Sequence, residues 1–556
     1  MEDKQEQKFH HLTEDPVGGL ICRLALPCII SMLVTAFYNM ADTFFVGMLD
    51  SNPATGAVGV VFSLMAIIQA IGFFFGHGSG NFISRELGKH HTEEASNMAA
   101  TGFFAALATG LVICILGQIF LTPLANLLGS TPTILPYARA YMRVILLGAP
   151  WMTASLVLNN QLRFQGSAVY GMVGIVSGAV LNIGLDPLLI FGFDMGIAGA
   201  AWATIVSQFV SFCLLLVGCT RGGNLHIHIS RVQLKRSYFL LIVQGGLPSL
   251  ARQGLASVAT ICLNWAARPY GDAVIAAMGV VQRIMTFGAS AMIGFGQGFQ
   301  PVCGFNYGAK LYHRVLEGFR FCFRSSTVFL MAVGALGFVF APQIVAVFRD
   351  DPEVIACGAA ALRFQCVTFC FQGWIVMSNM MLQTIGRTGP ATFIAMARQG
   401  IFFIPLVVIL SLTLGVLGIQ MSQAVSDLFT LACAIPLQRK VLRELATESS
   451  APCLPSDTKQ TAPSTGGAVC KRPRRPMGGA AFPVPSSQKN SFLYASTSAR
   501  VPWKGPGVSI FRETRAVAVR RAVGMSAVRR SLMYPAKVVS PRPVRPDRFR
   551  ALMGQV

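Results

Sequence analysis

The chain has 556 residues, of which 53% are hydrophobic and only 12% charged, with a mean hydropathy of +0.57. Soluble domains carry about a quarter of their residues as charge, so this composition excludes an ordinary soluble globular protein. The net charge of +22 points to nucleic acid only until it is located: nineteen Lys/Arg and three Asp/Glu lie between Ala451 and Val556, leaving +6 for the body.

Taken in order, the chain opens on a polar stretch, residues 1–19, with no leader-like apolar run. Apolar runs of roughly 20 residues, enough to cross about 30 Å of hydrocarbon as helix, follow at 20–46, 56–76, 97–121, 134–158, 168–192 and 196–219. After a basic linker, 220–238, come six more, at 239–267, 273–296, 320–347, 357–382, 390–414 and 416–437. None alternates with period two, so these are helices rather than barrel strands. The predicted fold class is therefore an all-α polytopic membrane protein of twelve transmembrane helices, with an N-lobe at 20–219 and a C-lobe at 239–446. Residues 447–556 are basic, hold thirteen prolines and contain no run long enough to span, so they read as a disordered, solvated tail.

The loops set the expected orientation. One alternate set carries Arg85 and Lys89, Arg163, the basic linker with Arg231 and Lys235, Lys310 and Arg314, and Arg387. The other set, around Asp50, Asp194 and Asp351, is poor in basic residues. The positive-inside rule places the first set and both termini in the cytoplasm, with the protein in a plasma or cell inner membrane. The fourteen cysteines include no CxxC pair; Cys366 and Cys370, one helical turn apart, read as packing thiols.

The second half is a diverged copy of the first. The segment 57–61 (AVGVV) matches 277–281 (AMGVV), and 75–78 (FGHG) matches 295–298 (FGQG), both at an offset of 220. Asn159 maps to Asn379 and Gly166 to Gly386 at 220, Pro27 to Pro248 at 221, and Gly196 to Gly415 at 219. Six helices return the chain to its starting side, so the halves share one orientation. They form a parallel repeat about a pseudo-two-fold along the membrane normal, with a path between the lobes.

Carboxylates inside spans are few and costly, so they mark function by default. Asp42 and Asp186 each lie eight residues below an outer loop, and Thr204 lies eight residues into the sixth span. At 1.5 Å per residue all three sit roughly 12 Å deep. Tyr38 and Asn182 fall one turn deeper on the same helix faces. Such oxygen ligands suit a hard cation, and two neighbouring carboxylates equally suit a shared proton. Helix capping explains Asp42 and Asp186 badly, because helix C-termini disfavour anions. Pro27 permits a bend in the helix carrying Asp42, and Pro187 frees the Ile183 carbonyl beside Asn182 and Asp186. Asp427 stands between two readings, a functional acid or the partner of an intramembrane Arg252 or Arg398.

Three stretches, DTFFVG at 42–47, NIGLDPLLIFGFDMGIAGAAWAT at 182–204 and FGQGFQPVCGFNYGAK at 295–310, together resemble the MATE (multidrug and toxic compound extrusion) transporters, closest to the DinF/MepA-like bacterial branch. The match covers about residues 12–446. The resemblance implies an antiporter, not an enzyme, that expels cationic or amphipathic drugs against inward H⁺ or Na⁺. It implies a cation site at Asp42, Asn182, Asp186 and Thr204, and cavity-lining roles for Tyr38 and Asn159. It implies no cofactor and no metal beyond a possible Na⁺ at that site. The seventh span reads GLPSLARQGLAS and lacks the Glu that some members carry there, so ion coupling is expected in the first lobe.

The expected partners are small organic cations or amphipathic drugs and membrane lipid, with no nucleic acid, and the expected state is a monomer. Two rivals stay open. A flippase for lipid-linked oligosaccharide needs a basic cavity, which two interior Asp oppose and Arg252, Arg283 and Arg398 favour. A passive channel differs only in lacking uphill transport. An intramembrane hydrolase lacks an HExxH motif.

Overall fold

The computed structural model describes residues 2–48, 52–349 and 351–450, so the loop at Asp50 and the expected tail beyond 450 lie outside the described residues. Helices in the first half are α1 (Glu2–Glu14), α2 (Val17–Gly47), α3 (Asn52–Gly88), α4 (Thr92–Ile119), α5 (Leu121–Leu127), α6 (Leu135–Phe164), α7 (Ala168–Pro187) and α8 (Gly196–Thr220). The second half holds α9 (Arg236–Ala267), α10 (Asp272–Gly308), α11 (Tyr312–Val339), α12 (Ala341–Phe348), α13 (Pro352–Phe369), α14 (Phe371–Thr384), α15 (Thr388–Met396), α16 (Phe403–Leu414) and α17 (Val416–Ser450). Single π turns, Leu188–Gly192 and Ala397–Ile401, extend α7 and join α15 to α16.

Ten of these segments are long and apolar enough to cross a bilayer among the described residues, and α13 with α14, bent by 57°, makes an eleventh. The twelfth is α9, whose 32 residues reach about 48 Å. Its apolar character is diluted by Arg252 and Gln253, which line an interior cavity instead of meeting lipid. The observed helices outrun the apolar runs. Helix α3 continues to Gly88, α10 to Gly308 and α17 to Ser450, four residues into the expected tail.

The repeat is written in the backbone. Gly166 and Gly386, at the ends of α6 and α14, have φ of 76° and 85°. Gly196 and Gly415 have φ of 54° and 62°, and His90 and Lys310, neither a glycine, share φ of 62° and 63°. Each pair keeps the spacing of 219 or 220 read from the sequence.

The lobes are interlocked by an exchange of helix ends. Leu20, Ile21 and Leu24 at the start of α2 belong to the C-lobe core with Phe299 and Phe319. Reciprocally, Ile242 at the start of α9 belongs to an N-lobe core with Ile83 and Met98. Glycines make these crossings possible. A Cβ on Gly294 would stand 2.6 Å from the Ile29 Cα, and one on Gly298 would collide with the Ala25 backbone. Its repeat counterpart, Gly78, faces the Ile242 carbonyl as closely.

The polar segment 1–19, for which the sequence suggested no particular structure, contains α1 and the first residues of α2. The α1 face of Phe9, Leu12 and Thr13, spaced three and four apart, docks beneath both lobes. Phe9 packs against His90 with ring centroids 4.0 Å apart and planes tilted by 41°, and Leu12 is buried. The Lys8 ammonium donates to Ser167 Oγ at 2.7 Å and Asn224 Oδ1 at 2.6 Å in the N-lobe. On the C-lobe side, Asn306 Nδ2 donates to the Leu12 carbonyl at 2.9 Å and Arg314 Nε to Asn306 Oδ1 at 2.9 Å.

Candidate functional site

Close helix contact builds the first-lobe site. A Cβ on Gly178 of α7 would meet Ser211 of α8 at 2.9 Å and the Ser207 carbonyl at 3.1 Å. A Cβ on Gly199 of α8 would meet the Leu189 carbonyl at 2.6 Å. These small residues hold α7 against α8 and so bring Asn182 and Asp186 to the level of Thr204. All three side chains are buried. Helix α2 packs on the other side of α7 and presents Tyr38 and Asp42 on one face, four residues apart.

The polar atoms are left with a surplus of acceptors. Asn182 Nδ2 donates to Asp186 Oδ1 at 3.2 Å. Asp186 Oδ2, Asn182 Oδ1 and Asp42 Oδ1 are buried without a hydrogen-bond partner. Asp42, Asp186 and Tyr38 lie within electrostatic reach of one another. Buried oxygens without donors are expensive, and a bound cation or proton would supply what they lack.

Next to them, on the side away from the outer loops, lies a cavity of about 130 Å³ whose walls include Tyr38, Asn159, Asn182, Thr204, Ser207 and Gln208. The structure thus gathers Tyr38, Asp42, Asn159, Asn182, Asp186 and Thr204 in one lobe. Pro27 is not among them. It is buried in α2, fifteen residues or about 22 Å along the helix from Asp42, where its carbonyl accepts from Ser31 Oγ at 2.8 Å. Beyond Pro187 the backbone adopts the π turn at Leu188–Gly192, with the Phe193 N–H bonded to the Leu188 carbonyl at 2.9 Å.

Comparison with known proteins identifies the architecture. The MatE family model matches residues 27–188 and again 248–409, once in each lobe and together more than half of the chain. The chain belongs to the MatE family. It is a multi-pass membrane transporter and not an enzyme. The multidrug export protein MepA of Staphylococcus haemolyticus (strain JCSC1435) is 25% identical over 425 residues, covering 76% of this chain and 93% of MepA. A solved outward-facing conformation of a multidrug resistance MATE family transporter of the MOP superfamily matches with a TM-score of 0.74 and 26% identity, over 79% of this chain and 98% of that one. A MATE crystal structure in the bent conformation matches equally, at 0.74 and 26%, over 80% and 99%.

Within this MatE chain, sequence reasoning missed Tyr141. It is fully buried, its hydroxyl has no hydrogen-bond partner, and it shares the electrostatic neighbourhood of Asp42, Asp186, Tyr38 and Thr204. The signal was available, since Tyr141 lies six residues past the start of α6 at Leu135, close to the eight-residue depth that singled out the two carboxylates.

The two readings of Asp427 separate in the structure. Its carboxylate accepts from Arg398 Nε at 2.9 Å, Gln423 Nε2 at 3.0 Å and Gln372 Nε2 at 3.2 Å. Arg398, rather than Arg252, is therefore its partner. Around this network lies a second cavity, about 230 Å³, lined by Arg252, Gln282, Gln372, Asn379, Arg398 and Gln423. Five of these six stand at the repeat positions of first-cavity residues, namely Phe62, Met152, Asn159, Gly178 and Thr204. The two MatE lobes share a hollow and fill it with different chemistry.

Proposed function

We propose that this MatE chain is a multidrug efflux antiporter, which exports cationic or amphipathic organic compounds by alternating access in exchange for H⁺ or Na⁺. The observation that carries the reading is the cluster of buried, unpartnered oxygens on Asp42, Asn182, Asp186 and Tyr141 beside an interior cavity. Such a set favours a hard cation or a shared proton, and Thr204 offers a further neutral oxygen. The likeness to MepA, a multidrug export protein, supports drugs as cargo. Tyr38 and Asn159 on the wall give an aromatic face and an amide for a cationic amphiphile. Coupling ion and drug are then rivals for one acidic pocket, so binding of either disfavours the other.

Coupling further requires the ion to bind the two lobe arrangements with different affinity. Helix α2 links the two, since its start sits in the C-lobe core and its end carries Asp42. A bend at Pro27 changes the relation between them. The basic loops support a plasma or inner-membrane protein with both termini in the cytoplasm. Interlobe packing at α1 then closes the cytoplasmic end of a monomer.

The test is efflux of a cationic dye from proteoliposomes, with sodium and pH gradients imposed separately. One gradient should drive uphill movement, and Asp42→Asn should abolish it. Uphill efflux that survives Asp42→Asn would refute the reading, and downhill flux alone would mark a channel.

A further inference from the structure

We propose that the second-lobe cavity is an anion subsite, built to take the carboxylate of an amphipathic organic ligand. The charge balance of its wall leads there. Two guanidinium groups, on Arg252 and Arg398, face this hollow, and the one carboxylate beside it among the described residues is Asp427. That carboxylate is consumed, its two oxygens held by Arg398 Nε, Gln423 and Gln372. Arg398 spends only Nε on it and leaves its terminal nitrogens free; its side chain is 24% exposed against 2% for Asp427. Arg252 makes neither a hydrogen bond nor an ion pair within the described residues, and the charges that act on it, Arg398 and Arg163, are other cations.

A guanidinium inside a membrane protein without a counter-charge is costly unless a ligand or water meets it. The repeat shows that the fold does not require it. Arg398 stands where the first lobe has Gly178, Arg252 where it has Ser31, and Asp427 where it has Gln208. The π turn at Ala397–Ile401 carries Arg398, and Ser426 Oγ anchors its carbonyl at 2.8 Å, so the side chain is held at the wall. A planar fork of N–H donors matches a carboxylate in two parallel hydrogen bonds. The amides of Gln282 and Gln372 add donors, and Met285, Ile375 and Ile394 supply an apolar wall for the attached body. The subsite does not depend on ion coupling in the first lobe, and the experiment reads binding without transport, so the two readings fail separately.

The test is equilibrium binding of pyrenebutyrate to the purified full chain in detergent, followed by fluorescence anisotropy, beside its methyl ester and pyrenebutylammonium. The carboxylate should bind at least about tenfold more tightly than the ester, the difference expected of one charge-assisted pair. Arg252→Gln should remove that preference and leave ammonium binding unchanged. Because Arg398→Gln would strand the Asp427 charge, its role is tested with the double variant Arg398→Gln/Asp427→Asn, which should weaken carboxylate binding by a similar factor. Equal binding of acid and ester, or carboxylate binding unaltered in both the Arg252 variant and the double variant, would overturn the proposal. So would competition by phosphatidylglycerol micelles alone, with no competition from free naphthoate, since the anion would then be a lipid headgroup.

Discussion

Replacing Asp186 with Asn should make the protein more stable and less functional at once. The carboxylate is fully buried, Oδ1 accepts one amide bond at 3.2 Å, and Oδ2 has no partner. An unsatisfied buried polar atom costs about 1–3 kcal/mol, and more when charged. Asp186→Asn removes the charge next to Asp42 and introduces an N–H₂ donor beside two orphaned acceptors, Asn182 Oδ1 and Asp42 Oδ1. The expected gain is roughly 1–3 kcal/mol, which raises the Tm of a protein this size by a few degrees. The same change would delete a ligand of the proposed coupling ion. Wild-type protein should gain stability with Na⁺ or with a change of pH, by about 2.7 kcal/mol at a ligand concentration a hundredfold above Kd, whereas the variant should melt at one temperature throughout. Thermal unfolding in detergent across a sodium series and a pH series reads both effects. A lower Tm for Asp186→Asn, or an ion response as large as that of the wild type, would refute the reasoning.

Three further outcomes follow. Gly298→Ala pushes a methyl into the Ala25 backbone; it should cost about 1–3 kcal/mol of stability by overpacking, and cysteine cross-links between α2 and α10 should form more slowly. Asp427→Ala strands the Arg398 charge and should cost about 3–5 kcal/mol, most of it recovered in the double variant Arg398→Met/Asp427→Ala, as a thermal double-mutant cycle would show. Docking of α1 should tighten with rising pH. Burial lowers the Lys8 pKa to about 8, and its partners Ser167 and Asn224 are neutral. The docked state therefore binds fewer protons than the undocked one between about pH 8 and the free-lysine value, and docking gains free energy across that window. Hydrogen exchange of residues 2–14, corrected for intrinsic rates, should slow across that range in the wild type but not in Lys8→Met.

Much of the fold was legible because a bilayer reduces folding to runs of twenty apolar residues, and the fixed 220-residue spacing did the rest. The sequence reading placed this helix at 239–267 from its apolar run, although Arg252 and Gln253 thin its hydropathy, and α9 runs from Arg236 to Ala267. Asp42 and Asp186 stood out since a carboxylate in hydrocarbon needs a reason. Tyr141 did not, because a phenol passes as an ordinary interfacial aromatic until its hydroxyl is found buried and unpaired. The second cavity was missed for a related reason. Its amides, Gln282, Gln372 and Gln423, are unremarkable along the chain, and only the fold shows that they converge on two guanidiniums. Helix α1 escaped notice because two apolar side chains, Phe9 and Leu12, on a charged segment make too faint a stripe to read unaided.

The exchange of helix ends between the lobes has a consequence for how such a chain is assembled. Each half lends the opening turns of its first helix to the other, so neither half is complete by itself, and the pairing resembles a domain-swapped dimer whose two subunits are joined by the 220–235 linker. Two separate polypeptides cut within that linker carry all the complementary surface needed to find each other in a bilayer. The single chain adds a high local concentration of the second half, and so a faster search, while leaving the joint itself unchanged.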